Sequence, residues 1–372
     1  MRRTYTPRMA EAWTQIAVMP DSFGGTLTAV EAAAAIAAGW RRSRPHDQMV
    51  LAPQSDGGPG LVDVLSTAFV VDPRTVEVAG PLGAPVRAQW LLHDRTAYLE
   101  SAQACGLHLL PARPGPETAL AASTTGVGQL LAAALQAEAR RIVMGLGGSA
   151  TTDGGRGACE ALGGLAAARW LLAGVDLIAA TDVDNPLLGA DGAAAVFAPQ
   201  KGADPETVAV LEARLTGWAD EVAAAGADVR DRPGAGAAGG LGAALLACGA
   251  QRVSGAAVVA ELTGRAGVIA ASDLVITGEG RLDEQTLRGK LVAQVADEAR
   301  AAGVPLVILA GQSSLTGTRR DRLGAVYTLA EESGSPAAAK AQAAPLLTDL
   351  AARLVARWQP GRCRPTEPTV RE

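Results

Sequence analysis

Four glycine-rich segments with acidic or hydroxyl side chains hold the residue types most able to do chemistry in this 372-residue chain. They are residues 19–26, 145–155, 181–187 with the nearby 197–202, and 277–290. Glycine lets the backbone approach a ligand closely, and N–H groups at the start of a helix attract anions. The segments therefore predict a site for a phosphate or a carboxylate. Helix capping by Ser22 or Thr26 is the structural alternative for the first segment.

The third segment places two carboxylates, Asp182 and Asp184, at alternate positions of the chain. Alternate residues of an extended strand face the same side, where two like charges need a cation or a proton between them. One of these two acids could hold Mg²⁺ while the other accepts a hydroxyl proton, as phosphoryl transfer requires. A turn with solvated aspartates, ended by Asn185 and Pro186, is the alternative.

Lysine is rare, and its positions are informative. The sequence has three lysines, and two of them, Lys201 and Lys290, fall inside the glycine-rich segments. Lysine is a compact point charge suited to phosphates, so both are candidates for phosphate contacts, with chance placement as the alternative. Lys340 lies on a predicted helix and is interpreted as a solvated side chain. The three histidines lie outside the segments, which disfavours a Ser-His-Asp triad or a histidine metal site.

Composition excludes several classes of protein. A net charge of −5 and 3% aromatic residues disfavour binding to nucleic acid. The four cysteines are widely spaced and contain no Cys-x-x-Cys pair, so neither a zinc site nor a disulfide framework is expected. Neither the start of the chain nor its most apolar later stretch, residues 161–180, has the pattern of a signal or a membrane span. We expect a cytoplasmic protein without a membrane partner.

Apolar runs rich in Val and Ile alternate with longer helical patterns, as in parallel sheets with crossover helices. The predicted strands are residues 15–19, 141–144, 274–277 and 305–310, and the predicted helices are residues 28–42, 126–140, 205–224, 291–302 and 336–358. Several strands run directly into a glycine loop followed by a helix. In an open α/β sheet, ligands bind at that junction.

Two stretches differ from this alternation and predict a second domain. Residues 76–110 are rich in strand signals, with a turn at residues 80–83 and a hairpin around residues 92–95. Residues 182–242 are rich in Gly, Pro and Asp and have few strand signals. We expect a doubly wound α/β domain interrupted by a second α/β domain. The expected boundaries are 14–70, 118–168 and 266–358 for the first domain, 71–117 and 169–265 for a shortened second domain, and 359–372 for a disordered tail.

The ordered motifs of residues 16–310 resemble the type-1 glycerate kinases. The motifs that carry the resemblance are residues 20–23, 55–58, 80–83, 147–150 with 153–155, 182–187, 199–203, 233–240 and 276–283. The resemblance implies ATP-dependent phosphorylation of D-glycerate, usually to 2-phosphoglycerate. It also implies a flavodoxin-like domain with a second α/β domain inserted discontinuously.

The resemblance also implies roles for individual residues. Asp182, Asp184 and Lys201 are expected in a catalytic cleft with Mg²⁺, and Asp153 as a second metal ligand. The phosphates are expected on Ser22, Gly147, Gly148, Ser149, Thr151 and Lys290. The substrate is expected on Asp56, Glu279, Arg281 and Asp283, with its carboxylate on Arg281 or on backbone amides. The resemblance does not identify the general base, and Asp184 is our hypothesis for that role.

This chain also departs from the family pattern. Gly24 stands where a lysine is usual and Pro59 where a glutamate is usual, and residues 165–180 are a shortened segment. A catalytically impaired homologue that binds a ligand or partner is therefore the main alternative to a kinase. A weaker alternative is a nicotinamide-dependent oxidoreductase, because residues 145–150 match G-x-G-x-x-A. The sequence leaves open a homodimer, the phosphorylated carbon and the exact hydroxy acid.

Overall fold

The computed structural model describes residues 14–284, 286–288 and 291–357. Lys290 and the predicted tail, residues 359–372, lie outside the described residues. The chain forms two compact units. The first contains the residues up to Pro53 and those from Gly264 onward, and the second contains residues 54–263.

Strands and helices alternate along most of the chain. The strands are β1 (Gln15–Pro20), β2 (Gln48–Leu51), β3 (Arg74–Ala79), β4 (Pro85–His93), β5 (Thr96–Glu100), β6 (Arg141–Gly145), β7 (Asp176–Ala180), β8 (Gln251–Val253), β9 (Leu274–Leu282), β10 (Leu306–Ser313) and β11 (Ala325–Thr328). The helices are α1 (Ala29–Arg41), α2 (Leu61–Phe69), α3 (Ala102–Cys105), α4 (Pro116–Ala121), α5 (Thr125–Gln136), α6 (Arg156–Ala161), α7 (Leu165–Leu172), α8 (Ala193–Phe197), α9 (Pro205–Ala224), α10 (Leu241–Ala247), α11 (Gly255–Leu262), α12 (Arg265–Ala270), α13 (Leu291–Ala301), α14 (Thr318–Asp321), α15 (Leu329–Ser333), α16 (Pro336–Ala341) and α17 (Ala343–Arg357).

The first unit contains a parallel sheet in the order β11-β10-β9-β1-β2. Counted within the unit, this is the strand order 2-1-3-4-5 of flavodoxin-like folds, so the predicted fold class is confirmed. The order reverses between β1 and β9. Ligands bind outside the carboxyl ends of the strands at such a switch point.

Both faces of this sheet are covered, which explains why its strands are almost continuously apolar. Ile16 and Val18 of β1 pack towards α1 and α17, whereas Ala17 and Met19 pack on the opposite face with α12 and α13. Thr28 begins α1 with a capping box, because its hydroxyl accepts from the Glu31 N–H while the Glu31 carboxylate accepts from the Thr28 N–H.

The second unit contains a mixed sheet in the order β3-β4-β5-β6-β7-β8. Strands β3, β4 and β5 are antiparallel neighbours, and β5 to β8 are parallel. Helices α5, α9 and α10 contribute to its main core. Residues 116–136, which hold α4 and α5, are long and apolar enough to span a membrane by length and composition alone, but half of their most apolar window is buried.

The structure divides the chain elsewhere than the sequence predicted. Residues 118–168 were expected in the flavodoxin-like domain, but their strand β6 pairs with β5 and β7 of the second unit. Residues 54–70 also belong to the second unit, which is therefore one continuous insertion. The predicted hairpin forms between β4 and β5, where Asp94 and Arg95 both have positive φ. The predicted helix 336–358 is two helices, α16 and α17.

Candidate active site

The loop after β1 crosses the switch point of the first unit. The Asp21 N–H donates to the Gly278 carbonyl of β9 (2.8 Å), which fixes the start of the loop. A Cβ on Gly280 would lie 2.9 Å from the backbone nitrogen of Gly24, so glycine is needed where the loop passes β9. Residues 21–27 are therefore held tightly against the carboxyl end of β9.

A cavity of about 330 Å³ opens beside this loop, within the first unit. Its polar lining includes Asp21, Ser22, Thr26, Glu279, Arg281, Gln312 and Lys340. The cavity thus brings together three residues that the sequence predicted for phosphate or substrate, Ser22, Glu279 and Arg281. Glu279 is oriented by the Thr286 hydroxyl, which donates to its Oε1 (2.6 Å).

Two other charged residues are connected with this cavity, one through an ion pair with Arg281 and one as part of the lining. Asp283 pairs with Arg281 (Nε to Oδ2, 3.8 Å), whose side chain is 61% exposed. Lys340 was interpreted as a solvated side chain on a surface helix. It is exposed, but it also lines the cavity from α16, so that interpretation missed its neighbours. Helical periodicity predicts which face is exposed, not what else lies beside it.

In the second unit, three loops meet at the carboxyl ends of the parallel strands. The loop before α2 lies against the ends of β6 and β7, because a Cβ on Gly145 would clash with the Gly57 carbonyl. A Cβ on Gly255, at the start of α11, would clash with the Asp56 carbonyl. The Asp56 carboxylate is exposed at this edge and accepts from the Gly58 N–H (2.9 Å).

The glycine loop after β6 is clamped by Lys201. The Lys201 ammonium donates to the Ser149 hydroxyl (3.0 Å) and to the Thr151 carbonyl (2.6 Å), and the residue is only 4% exposed. Burial lowers the pKa of Lys201 from 10.5 to about 8. The predicted residues Ser149, Thr151 and Lys201 are thus brought together, with Lys201 beneath the loop and bonded to it.

Asp153 anchors the other end of this loop. Its Oδ2 accepts from the Thr124 N–H and hydroxyl (both 2.8 Å) and from the Gly157 N–H (3.2 Å), and its Oδ1 accepts from the Gly155 N–H (3.1 Å). Burial raises the pKa of Asp153, against the lowering effect of these donors. Four donors already occupy the two oxygens, which fits loop anchoring better than the metal role predicted from sequence.

Asp182 and Asp184 follow β7 at the same edge as the glycine loop. Asp182 is exposed, and its Oδ2 accepts a long hydrogen bond from the Ala256 N–H (3.4 Å). Asp184 pairs with Arg252 of β8 (Oδ1 to Nη2, 2.6 Å), although its side chain is 76% exposed. Arg252 also donates to the Val183 carbonyl (3.3 Å) and holds the segment between the two aspartates. Sequence reasoning missed Arg252, which lies on a three-residue strand with no glycine motif.

Glu100 is a second residue that sequence reasoning missed. This carboxylate ends β5, is 3% exposed and accepts from the Val62 N–H at the start of α2 (2.6 Å). Burial raises the pKa of Glu100 to about 7. Its signal in the sequence was a single acid directly after three consecutive apolar residues, 97–99, and directly before Ser101.

The described residues contain no group of three or more His, Cys, Asp and Glu side chains arranged to hold a metal. Magnesium that arrives with a nucleotide needs only one or two protein carboxylates, since phosphates and water complete its shell. The exposed carboxylate of Asp182 fits that requirement. Asp153 is buried and already bonded to four donors, which fits that requirement less well, and its metal role stays a prediction.

The glycine loop does not have the geometry of a dinucleotide fingerprint. In that motif a helix opens within the glycines and turns its N-terminus towards the pyrophosphate. Here β6 ends at Gly145 and α6 begins only at Arg156. The intervening residues form an extended loop, which disfavours the nicotinamide-dependent alternative.

Comparisons with known proteins identify the family of the chain. The chain matches the model of the glycerate kinase family over residues 16–169 and 164–359. It is 42% identical to a glycerate kinase of Bacillus subtilis over 330 residues, covering 81% of this chain and 85% of that protein. It is 38% identical to glycerate 2-kinase of Escherichia coli over 341 residues, covering 84% of this chain and 87% of that protein.

A solved structure shows the same fold. The putative glycerate kinase 2 of Salmonella typhimurium superposes with a TM-score of 0.74 at 36% identity, over 93% of this chain and 98% of that one. The family match spans residues of both units, including the two glycine loops and the aspartates after β7. The chain therefore belongs to the glycerate kinase family and is a kinase.

Proposed function

We propose that this kinase transfers the γ-phosphoryl group of ATP to D-glycerate in the cytoplasm and forms 2-phosphoglycerate. The observation that carries the proposal is the glycine loop after β6, which is clamped by the buried Lys201 beside the exposed carboxylates of Asp182 and Asp184. The position of the phosphate follows the name of the Escherichia coli relative, a glycerate 2-kinase.

In this proposal the glycine loop binds phosphate oxygens. Gly147 and Gly148 carry no side chains to obstruct an approaching anion, and the Ser149 hydroxyl lies next to the Lys201 ammonium (3.0 Å). Because Lys201 is buried and bonded to the loop, it acts by holding Ser149 and Thr151 in place. The predicted phosphate contact of Lys290 stays a prediction.

Asp182 and Asp184 supply the two carboxylates that phosphoryl transfer needs. Asp184 accepts the proton of the glycerate hydroxyl as its oxygen bonds to the γ-phosphorus; the bond to the bridging oxygen then breaks and ADP leaves. Arg252, at 2.6 Å from Asp184, orients this carboxylate. We assign Mg²⁺ to Asp182, whose exposed carboxylate could hold the ion; bound there, Mg²⁺ would neutralise phosphate charge.

The acceptor acid carries one carboxylate and two hydroxyl groups. We assign its carboxylate to Arg281, because a guanidinium matches a carboxylate with two parallel hydrogen bonds. The substrate contacts expected of Asp56, Glu279 and Asp283 stay predictions, each based on a carboxylate that can accept from a hydroxyl group. The alternative of an impaired homologue is not favoured, since these groups remain despite Gly24 and Pro59.

An ADP-release assay with phosphorus NMR tests the proposal. The full chain is given D-glycerate, ATP and Mg²⁺, with L-glycerate, and the omission of Mg²⁺, as matched controls. We expect ADP release with D-glycerate and a product resonance that couples to the C2 proton. No ADP release from folded protein would refute the activity, whereas a 3-phosphoglycerate resonance would refute only the assigned carbon.

A further inference from the structure

The cavity of the first unit has an uneven charge arrangement. Its acids are already engaged by donors of the chain: Asp21 Oδ1 accepts from the Ser22 N–H (2.6 Å), and Glu279 Oε1 accepts from the Thr286 hydroxyl (2.6 Å). Its two cations are less constrained. Arg281 is 61% exposed and has one long ion pair, at 3.8 Å.

Lys340 is the second cation of this cavity, and its backbone is well fixed. The Ser335 hydroxyl begins α16 by accepting from the Ala338 N–H (3.0 Å), and Ala339 is 4% exposed against the core. The exposed Lys340 side chain forms no ion pair with any residue that the structure describes. A fixed backbone with an unpaired ammonium beside a cavity is suited to bind an anion from solution.

We propose that Lys340 binds the carboxylate of the acceptor acid together with Arg281, which makes this cavity the site of a small hydroxy acid. The inference rests on the proposed function and adds a specificity-determining residue to it. A planar guanidinium and a point-like ammonium can each engage a carboxylate oxygen. Ser22, Thr26 and Gln312 are the uncharged polar residues of the same lining.

The size of the cavity favours an acid over a whole nucleotide. Its volume of about 330 Å³ is at the lower end of the roughly 300–1,000 Å³ range of small-molecule sites. A three-carbon acid has far fewer atoms than ATP, so its carboxylate end fits a cavity of this size. The spare volume predicts that slightly longer hydroxy acids with one carboxylate also bind.

Substitutions at Lys340 test the inference, with Arg42 as a matched control. Arg42 is an exposed cation of the same unit, paired with Asp349 and not part of the cavity lining, so Arg42→Ala removes the same charge elsewhere. Binding of D-glycerate and of its neutral amide, glyceramide, is measured by calorimetry on the full chain without nucleotide. The KM values for D-glycerate and for ATP are measured in parallel.

We expect Lys340→Ala to weaken D-glycerate binding about 10- to 100-fold, the usual loss for a hydrogen bond to a charged group. Glyceramide binding and the KM for ATP should change less than about twofold, because the ammonium acts on the carboxylate charge. Lys340→Arg should retain most of the affinity, and Arg42→Ala should match the wild type. A loss that is equal for glycerate and glyceramide would indicate a structural effect and would overturn the inference.

The remaining outcomes separate the inference from the proposed function. Normal glycerate affinity and turnover in Lys340→Ala would overturn the inference and leave the activity standing. A raised KM for ATP alone would overturn it in favour of a nucleotide site in this cavity. Lys340-dependent glycerate binding without phosphoryl transfer would support the inference and refute the proposed activity. Wild-type protein that binds no D-glycerate would overturn the inference.

Discussion

Replacing Lys201 by methionine tests whether its ammonium serves to hold the glycine loop in place or to keep the chain folded. Methionine has a similar length, but it removes the ammonium that donates to Ser149 and Thr151. Burial lowers the pKa of Lys201 from 10.5 to about 8, which at ~1.4 kcal/mol per pKa unit makes the buried charge cost about 3 kcal/mol. The two hydrogen bonds return about 1.5–3 kcal/mol each.

The cost and the gain largely offset each other and leave about 0–3 kcal/mol in favour of lysine, so Lys201→Met should lower the free energy of unfolding by less than about 3 kcal/mol. The kcat should fall about 100-fold, because a loop misplaced by about an ångström loses its reactive geometry. Urea unfolding and steady-state kinetics at pH 7.5 measure the two effects. Near-normal kcat in folded Lys201→Met would refute the role of Lys201 in holding the glycine loop. A fall in kcat that is fully explained by a smaller fraction of folded protein would also refute it.

The pH dependence gives an independent check on the burial of Lys201. Because its pKa is lower in the folded chain, the unfolded chain binds more protons at this residue between about pH 8 and 10.5. The penalty for the buried charge is present below pH 8 and is relieved as the pH rises. The free energy of unfolding of the wild type should therefore rise relative to that of Lys201→Met by up to about 3 kcal/mol over this range. A difference that stays constant with pH would show that the ammonium is not buried in solution.

Three other substitutions test the second unit. Glu100→Gln removes a carboxylate whose pKa is raised to about 7. The free energy of unfolding of this variant should therefore rise relative to that of the wild type between pH 4.5 and 7, by up to about 3 kcal/mol. A difference between variant and wild type in urea unfolding that is the same at pH 5 and at pH 8 would contradict this. Asp153→Asn should lower stability by about 1–3 kcal/mol in urea unfolding and leave the Mg²⁺ concentration for half-maximal rate unchanged, whereas a shifted Mg²⁺ requirement would restore its metal role. Asp184→Asn should lower kcat about 100-fold or more with little change in KM, and near-normal turnover of folded protein would exclude Asp184 as the base.

Local features of the fold were readable from the sequence, but long-range pairing was not. The predicted strands at residues 15–19 and 141–144 both form, because a buried parallel strand is a short apolar run in any sheet. The same property hides which sheet a strand joins, so the strand at 141–144 was assigned to the wrong unit. The hairpin at residues 92–95 was predictable because its register is fixed by neighbouring residues.

The candidate site shows the same limit at the level of side chains. Glycine density identified the loop after β6, since close backbone approach requires particular residue types. The ion pair of Arg252 with Asp184 could not be predicted, because it joins a residue of β8 to one 68 positions earlier, in the loop after the neighbouring strand β7. Lys201 was singled out by its rarity, but its burial depends on the packing of the loop above it.

The surroundings of Lys201 and Lys340 explain why lysine, rather than arginine, stands at these two positions of a chain with 33 lysine and arginine residues. Lys201 has two acceptors in a pocket that leaves it 4% exposed, which suits an ammonium with three donors. An arginine there would bury five donors in a planar fork, and most of them would lack acceptors at about 1–3 kcal/mol each. Lys340 is exposed at a cavity that Arg281 already shares, where a flexible stem lets its charge follow the ligand. Arginine is therefore excluded at position 201, where its donors would lack acceptors. At position 340 arginine would be tolerated, and the glycerate affinity of Lys340→Arg tests that expectation.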